Sequence, residues 1–302
     1  MAAHRSVEVR VGLRSLPWQE RISKQGQKSL IKTIQANDAR VLKAIQAAAD
    51  DVEALIKQLP GPNVGNTVRR AQYRQIRDAI KGIDKELWKQ VEATTNASLS
   101  QATQHAVSEN KQLLDYLMRA VPSNATILAQ SYRSSALRSF QDVRSRVLND
   151  IKLSGKVFRN TALMNGEIDS IVNEGILLQR SAAEIADDVV GYINPDTPGG
   201  ARYAAQRLGR TELNNAFHTT SIRCYQESPH VRGVQWELSG SHGQDDDCDE
   251  LADTDEFDLG AGVYPPEDVP FKPHPQCFCY TTAITLTPEE FADGIVSGEI
   301  AA

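Results

Sequence analysis

The chain has 302 residues and a net charge of −6, with 40% hydrophobic, 24% charged and 6% aromatic residues. That balance fits a globular protein with thin helical packing rather than one thick aromatic core. No apolar run approaches the ~20 residues that span a bilayer, Met1 to Pro17 holds arginines and Glu8 without a long apolar stretch, and four cysteines are too few for a disulfide scaffold, so no membrane segment, no secretory signal and a reducing site of synthesis are expected.

Gln19 to Leu59 reads as a helix, because Ile31, Ile34, Val41, Ile45, Val52 and Leu55 recur at spacings that keep one face apolar. Leu59-Pro60-Gly61-Pro62 stops it: proline cannot continue the ladder and pushes the residue before it out of the α region. A second helix is predicted from Thr67 to Ala120, carried by Ile76, Ile80, Ile83, Leu87 and Val91. Its middle, Ala93 to Asn110, is rich in Ala, Ser, Thr, Asn and Gln, which predicts either a break or burial against a partner. Val121-Pro122-Ser123-Asn124 marks a domain boundary.

Helices follow over Ala125 to Leu153 and Asn160 to Leu178. Ser181 with Glu184 forms a capping box that opens a short helix through Val190. Asn194 to Gly200 is a Pro/Gly loop, and a long helix runs from Ala201 to Glu227. Val234 to Leu238 alternates as a strand does, with Val234, Trp236 and Leu238 on one side, and Tyr280 to Leu286 is a second strand. The forty or so residues between them are rich in Gly, Asp and Pro. A structureless loop that long needs something to hold it. Thr287-Pro288-Glu289-Glu290 opens a final short helix with proline at its first position.

The expected class is mainly α with a small C-terminal β element, an α+β arrangement. An elongated helical region fills residues 1–122, a helical domain ending in two or three strands around a clasped loop fills 123–286, and a short helix and tail fill 287–302.

Charge divides the chain as well. Residues 1–230 hold 31 Lys and Arg against 23 Asp and Glu, a net +8, and residues 231–302 hold 2 against 16, a net −14. The basic part suits nucleic acid or an acidic protein surface, and the acidic part repels nucleic acid. The basic residues are spread along helices without interleaved aromatics, so no residue is singled out for nucleic-acid binding.

Three of the four cysteines lie in the acidic part. Cys248, His274, Cys277 and Cys279 form a four-ligand set, with His242 as an alternative to His274. Thiolate and imidazole donors suit a structural zinc ion. The spacing is irregular: three residues after Cys248 stands Leu251, and the side chains of Cys277 and Cys279 point to opposite faces if that stretch is a strand. Both reach one ion only if the backbone turns there. Buried free thiols, a disulfide from Cys248, and a turn-capping role for His274 remain beside the metal. The run Asp245-Asp246-Asp247 with Asp249 and Glu250 lacks the spacing and glycine of a calcium loop and reads as a solvated acidic loop. His-Glu-x-x-His, a phosphate-binding glycine loop and Gly-x-Ser-x-Gly are all missing from the sequence, and the glutamate that a zinc deaminase places before Pro-Cys is not there. No catalytic residue is assigned, and the expectation is that the protein is not an enzyme.

Arg210-Thr211-Glu212, then Asn215-Ala216-Phe217-His218, Trp236, His242, Asp247-Cys248-Asp249, and Pro273-His274-Pro275-Gln276-Cys277-Phe278-Cys279 occur in that order. This order resembles the head morphogenesis domain of tailed-phage minor head proteins, the phage Mu protein F-like family. The resemblance spans about residues 125–286, and its specific part is 207–281. Family members often carry Cys-x-x-Cys in the first half of the cluster, where this chain has Leu251.

The resemblance implies a minor capsid protein in the virion, at the capsid interior or portal vertex and assembled in the host cytoplasm. It implies portal protein and major capsid or scaffold proteins as partners, with packaged double-stranded DNA as a further one. A DNA-binding protein delivered with the genome and a zinc-dependent enzyme acting on nucleic acid or protein are the alternatives. Arg210 and Glu212, with Thr211 and Trp236, are read as structural, the first two fixing their helix to the cysteine loop.

Overall fold

The computed structural model describes residues 13–56, 66–178, 180–193, 200–240, 242–243 and 245–300. Helices α1 (Pro17–Ile56) and α2 (Asn66–Leu117) come first, and two single 3-10 turns, Met118–Ala120 and Ser123–Ala125, separate α2 from α3 (Thr126–Asp150). Then come α4 (Leu153–Leu177), α5 (Ala182–Ile193), α6 (Ala201–Gln226), β1 (Val231–Glu237), α7 (Asp247–Asp253), β2 (Val263–Tyr264), β3 (Tyr280–Thr285) and α8 (Pro288–Ser297). The fold is mainly helical with a small antiparallel sheet near the C-terminus, ordered β2-β1-β3. No helix among the described residues is long and apolar enough to cross a membrane. The predicted stop at Leu59 to Pro62, and the loop at Asn194 to Gly200 except its last residue, lie outside the described residues.

Local signals become real contacts at two helix starts. Ser181 Oγ accepts from the Glu184 amide at 3.2 Å, and Glu184 Oε2 accepts from the Ser181 amide at 2.6 Å. Thr287 and Glu290 make the same reciprocal pair ahead of α8, with Pro288 at the position where a missing N–H does no harm.

The described residues fall into two compact units. One draws on Leu30–Ala102 and Leu148–Ala216, the other on Met1–Ser29, Thr103–Val147 and Phe217–Ala302. Helices α1, α2 and α6 each supply a stretch to both. The break read at Val121 to Asn124 lies inside the second of these units, as does α8.

In the unit built on 30–102 and 148–216, Ile34, Val41, Ile45, Val52, Ile76, Ile80, Leu87 and Val91 of the predicted apolar stripes are buried, while Ile31, Leu55 and Ile83 are half-buried. Trp88 packs with them and points its indole N–H at Met164 Sδ, 3.4 Å away.

The other unit holds the sheet and the cysteine cluster. Strand β1 pairs antiparallel with β2 at Val234↔Tyr264 and with β3 from Val231↔Thr285 to Glu237↔Tyr280, with an irregularity between Val231 and Gly233. Val234 and Ala283 pack on Ile22, Leu113, Ile222 and Tyr225. A second cluster joins Leu114 and Leu117 to Tyr132, Phe291 and Ile295, and Tyr132 Oη meets His230 Nδ1 at 2.9 Å. Strand β1 begins three residues earlier than predicted and ends before Leu238, which is left partly in solvent.

The stretch Ala93 to Asn110 neither breaks nor waits for a partner. It is continuous helix, and Thr95, Ser98, Ala102, Thr103, Ala106, Glu109 and Asn110 are buried within the chain. Small side chains let neighbouring helices approach, and two of the polar groups bond within their own helix: Ser98 Oγ donates to the Thr94 carbonyl and Asn110 Nδ2 to the Ala106 carbonyl, each at 3.0 Å. Glu109 is held by Ser23 of α1 and Tyr225 of α6.

Gly26 on α1 makes room for that carboxyl. A Cβ at this position would lie 2.1 Å from Glu109 Oε2. In an open helix Gly→Ala stabilises by ~1 kcal/mol. Here Gly26→Ala is expected to destabilise by about 1–3 kcal/mol, the range for overpacking, as a lower urea midpoint at unchanged slope. A midpoint at or above that of the wild type would contradict this packing.

Candidate metal centre

The segment between β1 and β3 is not structureless. Asp246 caps α7 by accepting from the Cys248 amide at 2.7 Å, and Asp249 returns the bond by accepting from the Asp246 amide at 2.8 Å. The acidic run is therefore partly solvent-facing and partly a helix start, which turns Cys248 inward to full burial. The short strand β2 adds a second anchor, tied by Gly262 N–H to the Thr254 carbonyl and by Trp236 N–H to the Gly262 carbonyl. Periodicity misses both elements because one has seven residues and the other two.

The second half of the cluster depends on a turn. Gln276 has φ 60°, in the left-handed region, and β3 begins only at Tyr280. Cys277 and Cys279 therefore precede the strand and escape its alternation. Cys248, Cys277 and Cys279 gather as one group, with their sulfurs all within 4.8 Å of one another. Cys248 Sγ lies 3.4 Å from Cys277 Sγ and 3.4 Å from His274 Nε2, and Cys279 Sγ lies 3.8 Å from His242 Nδ1. A tetrahedral ion with arms of about 2.0 Å to nitrogen and about 2.3 Å to sulfur holds its donors about 3.3–3.8 Å apart; these three pairs have such separations, and the group that meets as a whole is the three thiols, while His274 groups with Cys248 and Asp246, and His242 with Asp246 and Asp249. All four cysteines are free thiols, and the fourth, Cys224, is buried on α6.

Both histidines are oriented from behind. His242 Nε2 is 2.8 Å from Asp249 Oδ2, and this hydrogen bond pushes the His242 pKa up. In the neutral tautomer whose Nε2–H donates to Asp249, Nδ1 is the acceptor that faces Cys279. A carboxylate behind a metal-binding imidazole does the same work. His274 sets its Nδ1 3.2 Å from the Pro275 carbonyl and its Nε2 3.2 Å from Asp246 Oδ2. All five candidate ligands named from sequence are thus brought to one place, His274 beside Cys248 and His242 beside Cys279.

Trp236 forms the apolar wall of the site. It is buried in one cluster with Cys248, Tyr264, Cys277 and Cys279. His218 of α6 meets its ring edge-on at 5.7 Å, and Lys272 Nζ stands 5.2 Å from the ring centroid. His218 Nε2 is bonded to the Pro270 carbonyl at 2.9 Å. Burial, helped by the Lys272 charge, holds its pKa down to about 3, so it is a neutral strut between α6 and the loop. Burial pushes the Cys248 thiol up to about 12. Cys277 is lowered, chiefly by its hydrogen bond with Cys279 and further by Lys272. Lys272 itself is lowered by burial and pulled back up by Cys277, Cys279 and Cys248.

Asp249, His218 and Lys272 were not picked out from sequence as members of the site. The signals for them were the ordered motif, which contains His218 and Asp249, and Asp246 three residues before Asp249, a capping-box spacing.

Arg210 and Glu212, expected to fix their helix to the cysteine loop, bond to other helices. Arg210 Nε donates to Asp38 Oδ2 of α1 at 2.8 Å, and Glu212 accepts from Lys156 Nζ of α4 at 2.7 Å on both oxygens. These bonds tie helix to helix, because residues 210 and 212 lie on the part of α6 that belongs to the other unit. Thr211 between them is partly buried. Compared with known proteins, the chain matches no family model, no curated protein and no solved structure.

Proposed function

We propose that this protein is a structural minor capsid protein of a tailed phage, associated with the portal and the capsid interior during prohead assembly, and that its Cys/His cluster is a closed structural zinc clasp. The observation that carries the reading is the donor set. Three thiols, with one imidazole beside Cys248 and another beside Cys279, offer more donors than the four positions of a tetrahedral ion. Once His242 or His274 joins the three thiols, all four positions are filled and none is left for water or substrate, which favours architecture over catalysis. The zinc would be held by Cys248, Cys277 and Cys279 with His242 or His274, and it would supply cross-linking of the loop ends. The order of the sequence signature from Arg210 to Cys279 supports the assignment to a phage head.

The test is location. The protein is expected in purified proheads and mature particles, and in a complex recovered through the portal protein from infected cells. Its absence from proheads and particles alike would sink the assignment.

A further inference from the structure

Residues 231–302 carry sixteen carboxylates and only two basic side chains, Arg232 and Lys272. Arg232 behaves as expected and pairs with Glu290 at 3.1 Å. Lys272 does not. Among the described residues it makes no ion pair with a carboxylate. Its ammonium turns inward, donates to the Cys279 carbonyl oxygen and stands over the buried face of Trp236. Lysine normally buries its stem and keeps its head in water, and a charge taken out of water needs a partner of opposite sign. Through the Cys279 carbonyl and the Trp236 ring it reaches the cluster that holds Cys248, Cys277 and Cys279.

The charge of the ion completes the argument. A divalent ion with two thiolates and two imidazoles is neutral and gives this half-buried, inward-turned ammonium nothing to pair with. The same ion with three thiolates and one imidazole carries −1. We propose that Lys272 is the counter-charge of the metal centre, a positioning residue whose ammonium neutralises that single negative charge and so selects the three-thiolate set Cys248, Cys277 and Cys279. The inference rests on the zinc-clasp reading and goes beyond it by fixing the ligand count and naming the residue that sets it.

Cobalt(II) reports both quantities, because its sulfur-to-metal absorption grows with each thiolate bound. The full-length protein, reduced and stripped of metal, is titrated with Co2+ and then with Zn2+ in competition with a chelating indicator, for wild type, Lys272→Met and Lys272→Arg. The wild type is expected to take one ion with three-thiolate intensity. Lys272→Met is expected to bind at least tenfold more weakly or to lose about a third of the sulfur absorption, and Lys272→Arg to restore much of the loss. Equal affinity and equal intensity in wild type and Lys272→Met would overturn the counter-charge role and leave the clasp standing. If Lys272→Met does not fold, the wild type still decides, since two-thiolate intensity there overturns the proposal. A wild type that binds no ion overturns the clasp itself, and the inference with it.

Discussion

Excess chelator is expected to lower the melting temperature of the metal-loaded protein and to erase the near-ultraviolet signal of Trp236, while most of the helical signal persists at moderate temperature. Trp236 shares its cluster with the three thiols, so its surroundings collapse when the donors are released. The helices of the unit built on 30–102 and 148–216 contain none of the ligands. A structural zinc site supplies on the order of 10 kcal/mol of apparent folding free energy at neutral pH. That is the ceiling here, since α7, β2 and the Trp236 packing also hold the loop. Cys277→Ser and Cys248→Ser are expected to reproduce the chelated state and to show no further response to chelator. Superimposable melting curves with and without chelator would remove the metal from the account of stability.

Replacing Glu109 by glutamine is expected to stabilise the protein at pH 8 and to change little near pH 4.5. Glu109 is almost wholly buried. Its Oε1 accepts from Ser23 Oγ at 3.0 Å and from Tyr225 Oη at 2.8 Å, while Oε2 has no partner and faces Gly26. Burial raises its pKa from 4.5 to about 8, against the two hydrogen bonds that lower it.

The folded state therefore keeps a proton that the unfolded chain releases above about pH 4.5. Stability contributed by the neutral acid is complete below that pH, declines as pH rises towards about 8 and levels off beyond. The shift corresponds to a change on the order of 4 kcal/mol. Glutamine keeps an acceptor for Ser23 and Tyr225, places an uncharged group at Oε2 and removes this slope. Asp84, raised to about 7 by burial, adds a slope of the same sign in both proteins, so the difference between the two denaturation series isolates Glu109. Equal destabilisation of Glu109→Gln at pH 5 and pH 8 would show that Glu109 is not buried as a neutral acid.

The sequence was most legible where a pattern repeats. The stripes of α1 and α2 and the reciprocal caps at Ser181 and Thr287 are local, and each survives folding. The cluster was legible as a list of ligands but not as a geometry. What gathers Cys277 with Cys279 is a single left-handed residue, Gln276, and glutamine carries no such signal. The polar stretch of α2 has no apolar stripe to announce its burial, yet small residues, with Ser98 bonded to its own helix, pack as closely. Arg210 and Glu212 were recognised as structural, yet their partners Asp38 and Lys156 lie 172 and 56 residues away, beyond any spacing rule.

The interleaving of the two units along the chain governs the order in which they can form during synthesis. All residues of the unit built on 30–102 and 148–216 are synthesised before any part of 217–302 is made. The stretch of α1 that carries Ser23 and Gly26 must meanwhile wait about two hundred residues for Tyr225, and longer for β3 and α8. A nascent chain therefore carries every residue of one unit while the other still lacks its sheet, the kind of intermediate that exposes apolar surface and needs protection from aggregation.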